Sequence, residues 1–553
     1  MTRIFRAATR GGGVALIALL AAGPVSAQAT QGTRRVTVVP YVEASQIFDA
    51  DLNGGDVVTY TSLAAGVDGS IQTQRVAAQA SVRYEHRFSY DDRIGDQDVL
   101  SGLARADVQL TRALSVEAGG IATRARSDIR GAAPGILVGN VDNIAQVYAG
   151  YVGPSLATNA GPIALNADYR FGYTKVETPT FADTGLGTRR LDYYDDSIGH
   201  VATASAGFQP GTLLPVGLTA SAGYDRETAS QLSQRYEGWF GRGDALLPVS
   251  PYVALTAGVG YEKIETSQKD ALVDAAGVPV LDDDGRFVTA PGSPRRIAYR
   301  TDGVYYDAGV IWRPNRRTSV EARVGKRYGS LSYTGTATYQ ASKGVGLAVN
   351  VYDGVQTFGR QLRTGLANIP TSFISPTQGF SQQFNGCVFG STGAAPGGCL
   401  DDVFQSISTS SYRARGIDGV LVATRGRSTW GAGIGYANRK LYAPRVAPGL
   451  VVSGLEDQSY YGQLFYARVL TQQSGINANA FVNYYDSGIG GGGAGLVQDG
   501  GDDGVWSYGA TGSYYRNFGR LGTTASVGLY SFKVGDFDSD WSAQALLGAR
   551  YQF

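Results

Sequence analysis

Residues 163–177, IALNADYRFGYTKVE, alternate without a break. Ile163, Leu165, Ala167, Tyr169, Phe171 and Tyr173 fall on one parity, and Asn166, Asp168, Arg170 and Thr174 on the other. Side chains of an extended chain point to opposite faces in turn, so this is a strand with one apolar and one wet face. Segments of this kind recur from 35–46 to 539–553 and number about 22 (range 18–24), with no interruption large enough for a separate soluble domain. So many half-apolar strands have no second layer to cover them. Closing the sheet on itself removes both free edges and leaves the apolar parity facing lipid. The predicted fold is all-β, a single closed antiparallel transmembrane β-barrel over 28–553.

The connections support this independently. Starting outward, alternate connections are short: TRAL (111–114), QPGTLLP (209–215), LPVSP (247–251), RPNRR (313–317), RGRS (425–428) and TQQSG (471–475). The others include the long 126–143, 177–196, 267–302, 358–410, 443–456 and 487–502. Short periplasmic turns and long extracellular loops are the habit of outer-membrane barrels, and this parity puts both termini in the periplasm. Within 267–302, VPVLDDDGRFVT reads as a hairpin turning at Asp284-Gly285 and standing above the membrane.

The start of the chain reads as a secretory signal. Arg3, Arg6 and Arg10 precede the apolar run VALIALLAA (14–22), and VSA (25–27) sets a cleavage after Ala27, before Gln28. The run is too short to span a bilayer. Without those three arginines the chain has 45 basic against 47 acidic residues, a balance of −2, which argues against nucleic acid as a partner. The 77 Gly and 34 Tyr suit barrel strands better than helices. The C-terminal LLGARYQF resembles the assembly signal of Gram-negative outer-membrane proteins through Gly548, Tyr551 and Phe553, although Leu546 stands where that signal prefers a polar residue. The partners implied are outer-membrane lipid and lipopolysaccharide, the barrel-assembly machinery at the last strand, and polysaccharide as a candidate solute.

The wet parity defines a candidate lumen wall: Arg83, Glu85, Arg87, Arg105, Asp107, Asp168, Arg170, Glu321, Arg323 and Arg327, with Asn477, Asn479 and Asn483 further on. Both charge signs are present, so no single-sign filter is expected. Such a wall passes or grips polar solutes such as sugars, or its charges simply pair across strands. A barrel this wide needs something inside it, and the candidate is 358–410, a loop either over the surface or in the lumen. Cys387 and Cys399 within it are expected to form a disulfide in an exported protein, and two Cys without a nearby His fall short of a metal site.

No cofactor and no enzymatic chemistry are expected. There are two His. His200 has Asp195, Asp196 and Ser197 nearby in sequence, but a triad is a matter of geometry, and both His86 and His200 fall on the lipid-facing parity. DADLNGGD (49–56) starts like a calcium loop yet has Tyr60 where the bidentate Glu belongs. GGGGAG (490–495) opens no helix, so it cradles no phosphate.

RRTSVEARVGKRYGSLSYTGTATYQ (316–340) and SYRARGIDGVLVATRGRSTWGAGIGYANRKL (411–441) resemble outer-membrane β-barrel proteins associated with PEP-CTERM and exopolysaccharide loci, over roughly residues 300–553. The resemblance implies an outer-membrane role linked to polysaccharide secretion and carries no functional residue onto this chain. The expectation from the sequence is therefore a channel for polar solutes or polysaccharide, or else a non-conducting scaffold whose outer loops interact.

Overall fold

The computed structural model describes residues 35–553 except 56, 91–96, 128–143, 178–193, 277, 285, 376–382, 406, 445–455, 488–503 and 536–537. The signal segment 1–27 with its Ala27/Gln28 cut, Gly285 of the expected turn and the glycine run 490–495 lie outside the described residues.

The described residues form one 22-stranded antiparallel sheet in which each strand pairs with its neighbours along the chain. The ring closes where the first strand, Arg35–Asp51, meets the last, Asp540–Gln552, in register from Tyr41↔Gln552 to Asp51↔Ser542. Strands run from 10 residues (Thr318–Arg327) to 20 (Arg296–Asn315), enough to cross a hydrocarbon layer when tilted. The outer face carries an uncovered apolar belt: Val304, Ile434, Leu464, Val527 and Leu547 are each more than 60% exposed. Aromatic rows band it. Tyr436, Tyr460, Tyr484 and Trp506 occupy one register row over four strands with centroids 4.9, 6.2 and 4.7 Å apart, and Trp430 and Tyr466 pair at 4.2 Å nearer the other rim. This is the exterior of a transmembrane barrel.

Short connections at the long-loop end break the loop-length pattern, as where residues 230–234 alone join Ala229 to Arg235. At the long-loop end, Arg327 and Ser330 are joined by Tyr328-Gly329 alone, both with positive φ (55° and 74°), the geometry of a tight hairpin. The hairpin within 267–302 is present through the Leu281↔Phe287 and Ala271↔Thr289 bridges. It leans on its neighbours: Arg286 is buried, its guanidinium 2.9 Å from the Val176 carbonyl, and Gln231 donates to the Phe287 carbonyl at 2.9 Å.

The strand Val345–Gln356 pairs directly with Ser411–Arg425, Gln356 opposite Tyr412. Residues 357–410 are thus an insertion between two adjacent staves. The main apolar core of the molecule forms between this insertion and the inner wall.

Candidate functional site

The insertion enters the lumen as a helix, Phe358–Asn368. Thr357 caps its N-terminus, accepting from the Arg360 amide at 3.3 Å and donating to Glu227 at 2.7 Å. Phe358, Leu362 and Leu366, spaced by four, bury one stripe against Leu103, Ile121, Val147 and Tyr151 of the wall. The polar stripe is held by ions: Arg363 pairs with Glu227 and donates to Thr174 (3.0 Å) and Ser197 (3.2 Å), while Arg360 pairs with Asp225. Two glycines make room for Arg363. A Cβ at Gly172 or Gly199 would lie 2.3 or 2.2 Å from its side chain.

The chain then descends. Gln79 clamps Phe373 on both sides, donating to its carbonyl at 2.8 Å and accepting from its amide at 2.9 Å. A hairpin, Cys387–Thr392 with Ala395–Cys399, follows, closed by the Cys387–Cys399 disulfide. Its tip reaches the opposite rim, where the Gly393 amide donates to Lys343 in a short turn at 2.8 Å. On the return, Asp402 accepts from Gln361 (2.7 Å) and Tyr352 (3.1 Å). The described residues of 357–410 therefore run the full height of the barrel as a plug.

The plug changes the meaning of the predicted wall. Arg83, Glu85 and Arg87 do not line open water: each is under 8% exposed, because the interior around them is filled. Glu85 takes Arg83 at 2.9 Å and Arg87 at 2.8 Å with a Ser62 hydroxyl at 2.8 Å, and Arg83 also pairs with Glu43. Arg105 reaches from the wall to donate to the plug carbonyls of Ile369 (2.8 Å) and Ala367 (2.9 Å), and keeps one bond to the wall at the Ala118 carbonyl (3.3 Å). Asp107 stands opposite Glu117, which pairs with Arg170 at 2.7 Å, and Asp168 accepts from Ser155 at 2.5 Å. Across the lumen Arg323 joins Glu321, Asp244 and Asp307, Arg242 joins Asp244 and Asp307, and Arg327 joins Glu262. Gly548, Tyr551 and Phe553 lie at the closing seam.

Sequence reasoning missed the seat of the plug. Gly431 and Gly433 alternate on the inner face of Ser428–Tyr442, leaving bare backbone on which the hairpin rests. A Cβ at Gly433 would come 2.3 Å from Cys387 Sγ, and one at Gly431 would come 2.7 Å from the Phe389 ring. Glycine at alternate positions of one strand was the legible signal.

The groups weighed for chemistry disperse. His86 Nδ1 lies 2.8 Å from Asp98 and His200 Nδ1 lies 2.8 Å from the Tyr169 hydroxyl on the outer face. Ser197 points inward to Arg363, opposite to His200. Asp51 accepts from the amides of Asn53 and Gly54, an Asx turn, and Asp49 accepts from Gln544.

No protein-family model and no curated protein matches the chain. Among solved structures, it is similar to the FrpB iron transporter from Neisseria meningitidis (F5-1 variant), with 9% identity over 93% of this chain and 82% of that one, TM-score 0.42. The ferric-catecholate import receptor Fiu from E. coli K12 in its open form gives 11% identity, 93% and 81% coverage and TM-score 0.44. The siderophore receptor PiuA from Acinetobacter baumannii gives 10% identity, 95% and 82% coverage and TM-score 0.42. Likenesses this distant carry no argument about the function of this chain.

Proposed function

We propose that this chain is an outer-membrane channel for polar solutes, closed at rest by its own plug, with both termini in the periplasm and its apolar belt among lipid and lipopolysaccharide. The observation that carries the reading is the manner in which 357–410 is held. One apolar face of it packs on the wall, the rest is tied by hydrogen bonds and ion pairs to single side chains (Gln79, Arg105, Glu227, Asp225) that water can replace, and it joins adjacent staves that pair without it. The resemblance to exopolysaccharide-associated barrels makes polysaccharide a candidate cargo. Replacing 357–410 by a short turn between Gln356 and Ser411 leaves the ring complete. In planar bilayers the intact protein is expected to be nearly silent and the shortened one to conduct strongly. If both are silent while the shortened ring is folded, the barrel is a scaffold and the channel reading fails.

A further inference from the structure

Charge is unevenly distributed around the inner wall. The strands between 76 and 126 and between 235 and 327 are dense in inward Arg, Asp and Glu. The inner parity of Glu456–Thr471, Ser474–Ser487, Val505–Phe518 and Leu521–Val534 carries a single charge, Asp457, which is spent on Arg439 at the rim. What replaces charge there is a checkerboard of rings and amides. Three register rows read Tyr461–Asn483–Ser507–Phe532, Gln463–Phe481–Gly509–Tyr530 and Phe465–Asn479–Thr511–Gly528. Gly509 is bare for a reason: a Cβ there would lie 2.5 Å from the Tyr530 ring and 3.0 Å from the Phe481 ring, so the two rings close over its backbone with centroids 6.2 Å apart.

The described residues of the plug do not fill this sector. Between it and the checkerboard lies a cavity of about 250 Å³, faced on the plug side by Phe384, Asn385 and Gln405. Arg126, at the end of the strand Leu114–Arg126, reaches across to roof it, donating to Ser507 at 3.2 Å with its guanidinium 4.9 Å from the Phe532 ring. Three polar atoms around the cavity, the Tyr530 hydroxyl, Asn483 Oδ1 and Gln405 Oε1, are buried without a hydrogen-bond partner among the described residues. Tyr530 is 3% exposed and Gln405 4%. These three atoms are free to take hydrogen bonds from a ligand in the cavity.

We propose that this cavity binds an uncharged sugar unit. A pyranose has apolar C–H faces that lie on aromatic rings and equatorial hydroxyls that both donate and accept. Hydroxyls can give protons to Asn483 Oδ1 and Gln405 Oε1 and exchange a hydrogen bond with Tyr530. The volume lies just under the roughly 300–1,000 Å³ of drug-sized sites, the scale of a single ring and its substituents. The four wall strands behind the cavity add no charge to it, and Arg126 and Asp401 at its border supply one of each sign. The inference deepens the channel reading and rests on it for the lumen being the working compartment.

Saturation-transfer NMR on the full-length protein in lauryldimethylamine oxide micelles, which contain no sugar, tests it. The probes are methyl-β-D-glucoside, methyl-β-D-galactoside and N-acetyl-D-glucosamine, with glucuronate as the charged comparison. At least one neutral sugar is expected to receive magnetisation at its ring C–H protons. Tyr530→Phe, which keeps the ring and removes the hydroxyl, should weaken that sugar at least threefold, and Asn483→Leu should weaken it further. Heat-modifiable migration on gels verifies that both variants are folded. No transfer to any neutral sugar, or transfer that Tyr530→Phe and Asn483→Leu leave unchanged, overturns the assignment. Plug-dependent conductance without sugar binding would sink this site and spare the channel. Sugar binding without plug-dependent conductance would do the reverse.

Discussion

Arg105 reads in the sequence as one more wet-face cation, and its parity was legible while its partner was not. Inward direction follows from period two, which is local. The partner lies about 260 residues away, and nothing in the spacing names it. In the structure Arg105 takes up carbonyls at the C-terminus of the plug helix, where unsatisfied C=O groups and the helix dipole both favour a cation. Arg105→Ala leaves the Ile369 and Ala367 carbonyls without this donor inside the lumen, so helix 358–368 should lose about 1–3 kcal/mol of local protection by hydrogen exchange. Arg105→Lys should recover only part of it, since an ammonium cannot reproduce the fork. The transition of the barrel itself should stay in place, because each stave is held by its own ladder. Glu85 teaches the same lesson: its parity was readable, but its burial between two arginines was not, since a wall charge reads identically whether it faces water or a filled interior.

The staves were readable one by one because each is a short periodic segment whose two faces meet different solvents. The plug was not, because 357–410 lacks a period. Its helix is 11 residues long, its strands six and five, and their apolar faces are defined only by the wall they meet. The wall did leave a trace in the alternating glycines of TWGAGIGYA. Gly433→Val should therefore evict the hairpin: the new side chain begins where the disulfide lies, and backbone in a paired stave cannot retreat. The expected result is a folded barrel whose Cys387–Cys399 bond becomes quickly reducible and whose conductance rises. Slow reduction equal to that of the parent would show that the glycine is not a seat. Seating should also depend on pH. Asp401 borders the internal cavity rather than bulk water, and burial, with Asp402 beside it, raises its carboxyl to about 7. A raised acid is bound to its proton in the seated state and releases it when unseated into water. Seating is then strongest below about pH 4, weakens as pH rises towards 7 and is level above. Hydrogen exchange of 358–368, corrected for intrinsic rate, should follow that curve, and Asp401→Asn should reduce its slope, leaving the part due to Asp402, whose carboxyl burial also raises.

The whole molecule depends on one long-range closure. Twenty-one of the pairings in the 22-stranded ring join sequence neighbours, and the last joins residues about 500 apart, from Tyr41↔Gln552 to Asp51↔Ser542. Contacts that distant form late, after the loop they close has been drawn together, so the seam is the step most exposed to a weak contact. This gives a physical reason for the departure at Leu546. A polar residue suits an inward position beside water, but here the position is covered. Leu546 is 2% exposed, opposite Ile47 and packed with Ile47 and Tyr60 in a small apolar cluster on the inner side of the seam. Outward on the same strand, Leu547 is 62% exposed and faces lipid. Leu546→Ala should cost about 2–5 kcal/mol, and Leu546→Asn at least as much, since the amide finds apolar neighbours. Because the loss falls on the closing pair, both should lower the temperature of heat-modifiable migration and slow refolding into vesicles. The equivalent truncation of an inward apolar residue far from the seam, Val420→Ala, should lower the temperature and leave the refolding rate near that of the parent. Equal slowing by the two substitutions would mean that closure of this seam is not the late step of assembly.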